Sequence, residues 1–186
     1  MKELWTEKYR PNNIEDYVFR DAAQRHQIEN WVKEGALPHL LFSGAPGTGK
    51  TTLAKVLLAE LGVMDLDILE INASNENSVD TIRTKITNFS SALPFGDFKY
   101  VLLDEADYIT PNGQAALRGV METYHTSCRF ILTCNYPFSF KKSYVMSDKI
   151  PLKLIHLPGK NSTQRKNFKE ALRNDLVEDP YVAHSR

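Results

Sequence analysis

Along the first 137 residues, short apolar runs alternate with longer segments in which apolar positions recur every three or four residues. His39–Gly44 (HLLFSG) is a continuous apolar run ending in glycine, which predicts a buried strand. Thr51–Gly62 (TTLAKVLLAELG) has helical spacing and predicts a helix closed by Gly62. Asp67–Ala73 predicts a second strand, and Ser78–Leu93 a helix with Ile82, Ile86 and Phe89 on one face. Lys99–Asp107 (KYVLLDEAD) predicts a third strand, whose unbroken apolar stretch implies cover on both faces. Asn112–Tyr124 predicts another helix and Cys128–Tyr136 a fourth strand, while Ala22–Gly35 predicts a helix ahead of the first strand. This alternation predicts the α/β class: a parallel sheet flanked by helices.

After Tyr136 the texture changes. Residues 138–186 offer one short apolar run, Ile150–Leu157, and one predicted helix, Ser162–Leu176, capped by Ser162 or Thr163. The α/β core is therefore assigned to 1–137. Residues 138–186 are assigned to an atypical tail, either an insertion or unrelated sequence. Charge separates the two parts. Net charge is zero, yet residues 1–137 hold 13 Lys and Arg against 18 Asp and Glu, and residues 138–186 hold 10 against 5. Any contact with nucleic acid must therefore come from a local patch, not from the overall field.

Composition narrows the class a little further. No apolar run approaches the roughly 20 residues that span a bilayer. The first 13 residues, MKELWTEKYRPNN, are polar and charged and do not resemble a secretory signal. Cys128 and Cys134 have no metal-ligand partners at useful spacing and are expected to be buried, reduced thiols.

The chemistry starts in the turn after the first strand. GAPGTGKT matches G-x-x-x-x-G-K-[ST], with Gly44, Gly49, Lys50 and Thr51 at the fixed positions, between a predicted strand and a predicted helix. Such a loop turns its backbone N–H groups around a β-phosphate, and the helix N-terminus adds its positive end. Lys50 would reach the β- and γ-phosphates, and the Thr51 hydroxyl could coordinate Mg²⁺. A loop of this kind expects a triphosphate.

Two further strand ends add to it. Asp104 and Glu105 close the third strand, at the sheet edge that also presents the loop. Asp104 is the expected Mg²⁺ ligand, and Glu105 is placed to polarise an attacking water as a general base. The letters D-E-A-D also occur in RNA helicases, but those need a second motor domain. Asn135 ends the fourth strand and could sense a γ-phosphate; the other reading is an Asn that starts a turn before Pro137.

WTEKYRP (Trp5–Pro11), GAPGTGKTT, LLDEADYITPNGQAALRGVMETY and FILTCNY together resemble the small ATPase subunits of sliding-clamp loaders. That group comprises the replication factor C type and its T4-like phage counterparts, which are AAA+ P-loop proteins. INASNEN with IRTKI (Ile71–Ile86) is similar to a further segment of those proteins. The resemblance spans roughly residues 3–137. It implies that Tyr9, Arg10 and Pro11 lie by the adenine and ribose. It implies that Gly44, Ala45, Pro46, Gly47, Thr48, Gly49, Lys50, Thr51 and Thr52 hold the phosphates. It also implies that Thr51 and Asp104 serve the metal, and that Lys50, Glu105 and Asn135 serve hydrolysis. Arg83 and Lys85 would face primer–template DNA, gripping phosphates without reading sequence; the alternative is a solvated helix face. Gln114 would couple DNA contact to the nucleotide, and Arg118 would help build a site shared with a neighbouring subunit. The implied partners are other clamp-loader subunits, a sliding clamp and primed DNA. The implied place is the cytoplasm or nucleoid, or the nucleus in a eukaryote.

The chain also departs from that pattern. The second Arg of A-L-R-R is Gly119 here. No S-R-C motif, with its arginine finger, follows Asn135 at short distance, although the chain ends in Ser185-Arg186. Arg129 is a poor substitute, because it begins a strand. A helical lid and an oligomerising collar are not found among the 186 residues. The expectation is weak ATP binding and very slow hydrolysis by this chain alone. Two other readings stay open: a different AAA+ DNA motor, such as a branch-migration helicase or initiator loader, and a regulatory subunit without turnover.

Overall fold

The computed structural model describes residues 10–76, 78–136, 146–147 and 150–157. Five strands form one parallel sheet in the order β2-β3-β4-β1-β7. They are β1 (Leu40–Ser43), β2 (Ile68–Asn72), β3 (Lys99–Asp104), β4 (Cys128–Cys134) and β7 (Lys153–His156). Two-residue strands β5 (Met146–Ser147) and β6 (Ile150–Pro151) pair with each other antiparallel. Among the described residues four helices cover the sheet: α1 (Ala22–Lys33), α2 (Lys50–Glu60), α3 (Val79–Ser91) and α4 (Pro111–Tyr124).

Alternation along each strand decides what each face buries. Leu41, Val101, Leu103, Phe130 and Leu132 pack with Ile82 and Ile86 of α3 and Leu117 and Met121 of α4. Their strand neighbours Leu40, Phe42, Tyr100, Leu102 and Ile131 pack with Ile28 and Trp31 of α1 and Leu53 and Leu57 of α2. The strands are therefore covered on both sides, as their unbroken apolar runs require.

Caps explain where the helices begin and end. Asp21 Oδ1 accepts the Gln24 N–H (2.8 Å), Ser78 Oγ the Asp80 N–H (3.2 Å), and Thr110 Oγ1 the Gly113 N–H (3.3 Å) ahead of Pro111. At the end of α2, Val63 N–H reaches Leu58 O (3.1 Å) around Gly62, which takes φ +63°.

The sheet does not stop at residue 137. Strand β7 comes from the 138–186 segment and pairs parallel with β1, from Leu40↔Lys153 to Ser43↔His156. It puts β1 inside the sheet, with β4 on the other side. The physical reason is burial: Leu152 joins one face of the core, and Ile155 and Leu157 the other. The predicted helix Ser162–Leu176 and the terminal Ser185-Arg186 lie outside the described residues. A second difference concerns β3, which ends at Asp104 and not at Asp107. Glu105 takes φ 53°, ψ 41°, and a short 3₁₀ turn, Ala106–Tyr108, follows.

Candidate functional site

Strand β1 ends at Ser43, and the chain turns at once through Gly44–Gly49 into α2. Gly44 is fixed by space as well as by its φ of +153°: a Cβ there would lie 2.0 Å from the Leu157 carbonyl oxygen. At the other end of the loop Gly49 takes φ +85° as the N-cap of α2, with no side-chain cap. The first amides of α2 are thus left for a ligand, with the positive end of the helix behind them. A Cβ on Gly49 would meet the Tyr17 hydroxyl at 3.2 Å and its ring at 3.3–3.6 Å. Tyr17 is buried, stacks edge-on against Phe19, and its hydroxyl lies 3.5 and 3.4 Å from Thr48 O and Gly49 O. Burial pushes its phenol well above the usual tyrosine range. The loop therefore rests on a neutral aromatic floor.

Lys50 is buried at the start of α2 and folds back over the loop. Its ammonium donates to Gly44 O (2.7 Å), Ala45 O (3.1 Å) and Asn135 Oδ1 (2.9 Å). Burial pulls its pKa below the ordinary lysine value, and the acidic groups Asp104, Asp107 and Glu105 work against that. Thr51, next on the helix, donates to the Asp104 carboxylate, with Oγ1 at 2.9 and 3.0 Å from its two oxygens. Thr48 Oγ1 is a buried hydroxyl with no partner inside the loop.

The acids reach this place from the end of β3, and their polar partners from the end of β4. Thr133 donates to Asp104 Oδ1 and accepts the Glu105 N–H at 3.0 Å. Asn135 N–H donates to Asp107 Oδ2 at 3.2 Å, while Asp107 Oδ1 is buried without a partner. Cys134, between them, is buried, and burial pushes its thiol up to about 12. It is a neutral packing group beside the site, not a nucleophile. Cys128 at the far end of the strand is likewise buried and raised to about 11.

The structure thus brings these side chains together as two hydrogen-bonded sets, Lys50 with Asn135 and Thr51 with Asp104, and Glu105 joins the second through its backbone and Thr133. Gly44 is buried, Thr48, Gly49 and Thr52 half-buried, and Ala45, Pro46 and Gly47 exposed. Pro11 is half-buried and Arg10 exposed, and Tyr9 lies outside the described residues. Gln114 is buried on α4 and donates to Ile109 O (3.1 Å). Arg118 pairs with Glu122 one turn on (2.8 Å). Arg83 and Lys85 are exposed on α3, and Lys85 forms an ion pair with Glu76. Sequence reasoning missed Tyr17, Thr133 and the Ser43–His156 pair (Oγ to Nδ1, 3.2 Å) that ties β7 to the foot of the loop. Only Thr133 left a trace, as a polar residue inside an apolar run.

A hydroxyl and a carboxylate facing each other, half-buried, form a hard-oxygen donor set. Magnesium takes such a set when phosphate oxygens and water complete it, so Thr51 and Asp104 fit that ion. Among the described residues no group of three or more His, Cys, Asp or Glu side chains could hold a metal ion. No helix among the described residues is long and apolar enough to cross a membrane.

Comparison with known proteins bears on the family and the fold. The replication factor C small subunit of Methanocella arvoryzae is 48% identical over 138 residues, covering 72% of this chain and 42% of that protein. The replication factor C small subunit of Archaeoglobus fulgidus is 46% identical over 138 residues, covering 72% and 43%. The chain thus spans less than half the length of these relatives. Among solved structures, the Thermotoga maritima RuvB Holliday junction branch migration motor superposes with a TM-score of 0.68 at 15% identity, over 89% of this chain and 55% of that one. That likeness concerns the fold alone. The profile of the ATPase family associated with various cellular activities matches residues 40–154, which takes in β7 as well as the loop, the acids and Asn135. With that match over most of its length, the chain belongs to the AAA family of P-loop ATPases.

Proposed function

We propose that this chain is the nucleotide-binding part of a sliding-clamp-loader small subunit, which binds and hydrolyses ATP as part of a multisubunit assembly on primed DNA. The observation that carries this reading is the convergence of the start of α2 with the ends of β3 and β4 on one edge of the sheet, where Lys50 bonds Asn135 and Thr51 bonds Asp104. The similarity to replication factor C small subunits, at 45–48% identity, supports the clamp-loader part.

In this reading the loop amides and Lys50 bind the triphosphate, and Tyr17 keeps the loop from sagging. Thr51 and Asp104 would hold Mg²⁺, which when bound neutralises charge on the phosphate oxygens. Glu105 accepts a proton from the attacking water. Asn135 reports on the terminal phosphate through its link to Lys50. Arg10 and Pro11, with Tyr9 before them, lie by the base. Arg83 and Lys85 grip DNA phosphates once Lys85 leaves Glu76. Gln114 and Arg118 face the route between DNA, nucleotide and neighbour. The positive charge that completes the transition state comes from an adjacent subunit, which is why hydrolysis by the isolated chain should be slow.

The test is an ATPase assay on the purified chain, alone and with clamp, primed DNA and full-length partner subunits. Stimulation requiring primed DNA and partners is the expected outcome. Dependence on branched DNA would point to a branch-migration motor, and nucleotide binding without turnover under every condition would point to a regulatory subunit. Full turnover by the chain alone would refute the dependence on a neighbour.

A further inference from the structure

The β3–β4 ladder runs from Lys99↔Cys128 to Leu103↔Leu132. The next pair in that register, Asp104 and Thr133, is joined through side chains. The Thr133 hydroxyl donates to Asp104 Oδ1 and accepts the Glu105 N–H at 3.0 Å. A hydroxyl offers one hydrogen and two lone pairs, so it can serve both acids at once. Thr133 is fully buried, with apolar Leu132 and Cys134 on either side. Glu105 is the sole non-glycine residue with positive φ among the described residues. Left-handed backbone at a glutamate is strained and persists only where its surroundings hold it. Its amide donates to the Thr133 hydroxyl.

We propose that Thr133 is a positioning residue for hydrolysis: its hydroxyl holds Glu105 in the left-handed conformation and fixes the Asp104 carboxylate against Thr51. The inference deepens the reading of Glu105 as general base and rests on it. Thr133 does not touch the nucleotide in this account. Removing its hydroxyl leaves a part-buried N–H unpaired and frees Glu105 to relax toward ordinary backbone angles. Its carboxylate then moves, and a displacement of about 1 Å can cost on the order of 100-fold in rate. Nucleotide affinity, set by the loop and Lys50, stays put.

The experiment compares Thr133→Val, which keeps the volume without the hydroxyl, Thr133→Ser, which keeps the hydroxyl, and Glu105→Gln. Three quantities are measured on the full chain in its assembly: fluorescent-nucleotide affinity, single-turnover hydrolysis, and hydrogen exchange at the Glu105 amide. Thr133→Val is expected to lose about 10–100-fold in hydrolysis with affinity within about twofold, and to exchange the Glu105 amide faster. Thr133→Ser is expected to recover most of both. Combined with Glu105→Gln, Thr133→Val should cost little more. Hydrolysis by Thr133→Val within about twofold of the parent, or a Thr133→Ser as slow as Thr133→Val, overturns the proposal. If the parent chain hydrolyses no faster than Glu105→Gln, the reading of Glu105 as base fails. Amide exchange then decides alone whether Thr133 holds the turn, and unchanged exchange in Thr133→Val overturns that as well.

Discussion

Gly44→Ala tests why the phosphate loop starts with glycine. Two costs separate at this position. The first is conformational: an alanine at positive φ carries about 1–3 kcal/mol of strain. The second is steric. The new Cβ would lie 2.0 Å from the Leu157 carbonyl oxygen and 3.0 Å from its carbon, both backbone atoms that cannot rotate away. Ordinary C···O contacts begin near 3.3 Å, so β7 must move by more than an ångström or leave. Leaving would expose Leu152, Ile155 and Leu157, each at most 7% exposed, at about 1.5–3 kcal/mol apiece. A shift with repacking costs about 1–3 kcal/mol, the usual range for overpacking. The shift is cheaper, so the total expected is about 2–6 kcal/mol, with β7 still in the sheet. Gly47→Ala is the control. Gly47 also has positive φ (+75°), but a Cβ there meets nothing within 4 Å, so only the strain of about 1–2 kcal/mol applies. Urea unfolding followed by tryptophan fluorescence suits the purpose, because Trp31 is buried in the same core and Lys153 of β7 sits 4.9 Å over its ring. The midpoint of Gly44→Ala should fall well below that of Gly47→Ala, with an unchanged m-value. A reduced m-value would mean β7 has left. Equal midpoints for the two variants would refute the steric argument and return Gly44 to a purely conformational role.

Lys50→Ala removes the ammonium that bridges two loop carbonyls and Asn135, and should abolish measurable nucleotide binding by isothermal titration while leaving the far-UV spectrum unchanged. His39 is 7% exposed, accepts the Phe130 N–H through Nδ1 (3.2 Å), and burial lowers its pKa from 6.5 to about 4. The unfolded chain therefore binds the extra proton first, so the stability present above pH 6.5 is lost as pH falls toward 4, about 2 kcal/mol of it by pH 5. Urea midpoints at pH 7.5 and 5 should show this in the parent and much less in His39→Gln; equal slopes would remove His39 as the cause. Asp67 is buried and its carboxylate accepts the N–H groups of Phe95 (2.8 Å) and Gly96 (2.9 Å). Asp67→Ala leaves both amides without that partner and should cost about 1–3 kcal/mol in urea unfolding. Arg83→Ala with Lys85→Ala should weaken primed-DNA binding by the assembly and flatten its log–log salt dependence by about one unit per lost phosphate contact; an unchanged slope would place α3 away from the DNA.

The local features were legible because local physics sets them. Gly44, Lys50 and Thr51 stand at fixed spacings that only a strand-to-helix turn explains, and the structure places them there. The apolar run of Lys99–Leu103 predicted a strand covered on both faces, and Val101 and Leu102 do point to opposite cores. What sequence could not show was partnership across distance. Strand β7 is four residues long, with Lys153 and His156 exposed at its two ends, so nothing in its pattern marks it as the neighbour of β1. Tyr17 looks like any aromatic in a loop until Gly49 is seen above it. The end of β3 misled for a related reason: D-E-A-D reads as strand until the hydroxyl of Thr133, 28 residues away, takes the Glu105 amide.

Lys50 is not waiting for a ligand. Its three donor hydrogens already have three acceptors, all supplied by the protein. Any nucleotide that recruits it takes part in an exchange, and the affinity measured is the difference between new contacts and old ones. Neutral carbonyl and amide oxygens are weaker partners for an ammonium than an anionic phosphate oxygen. A nucleoside offers no such oxygen and cannot win the exchange, whereas a polyphosphate can. If the loop binds nucleotide through Lys50 as proposed, it discriminates by competition against the protein's own oxygens, and shortening the phosphate chain should cost more affinity than the number of lost contacts suggests.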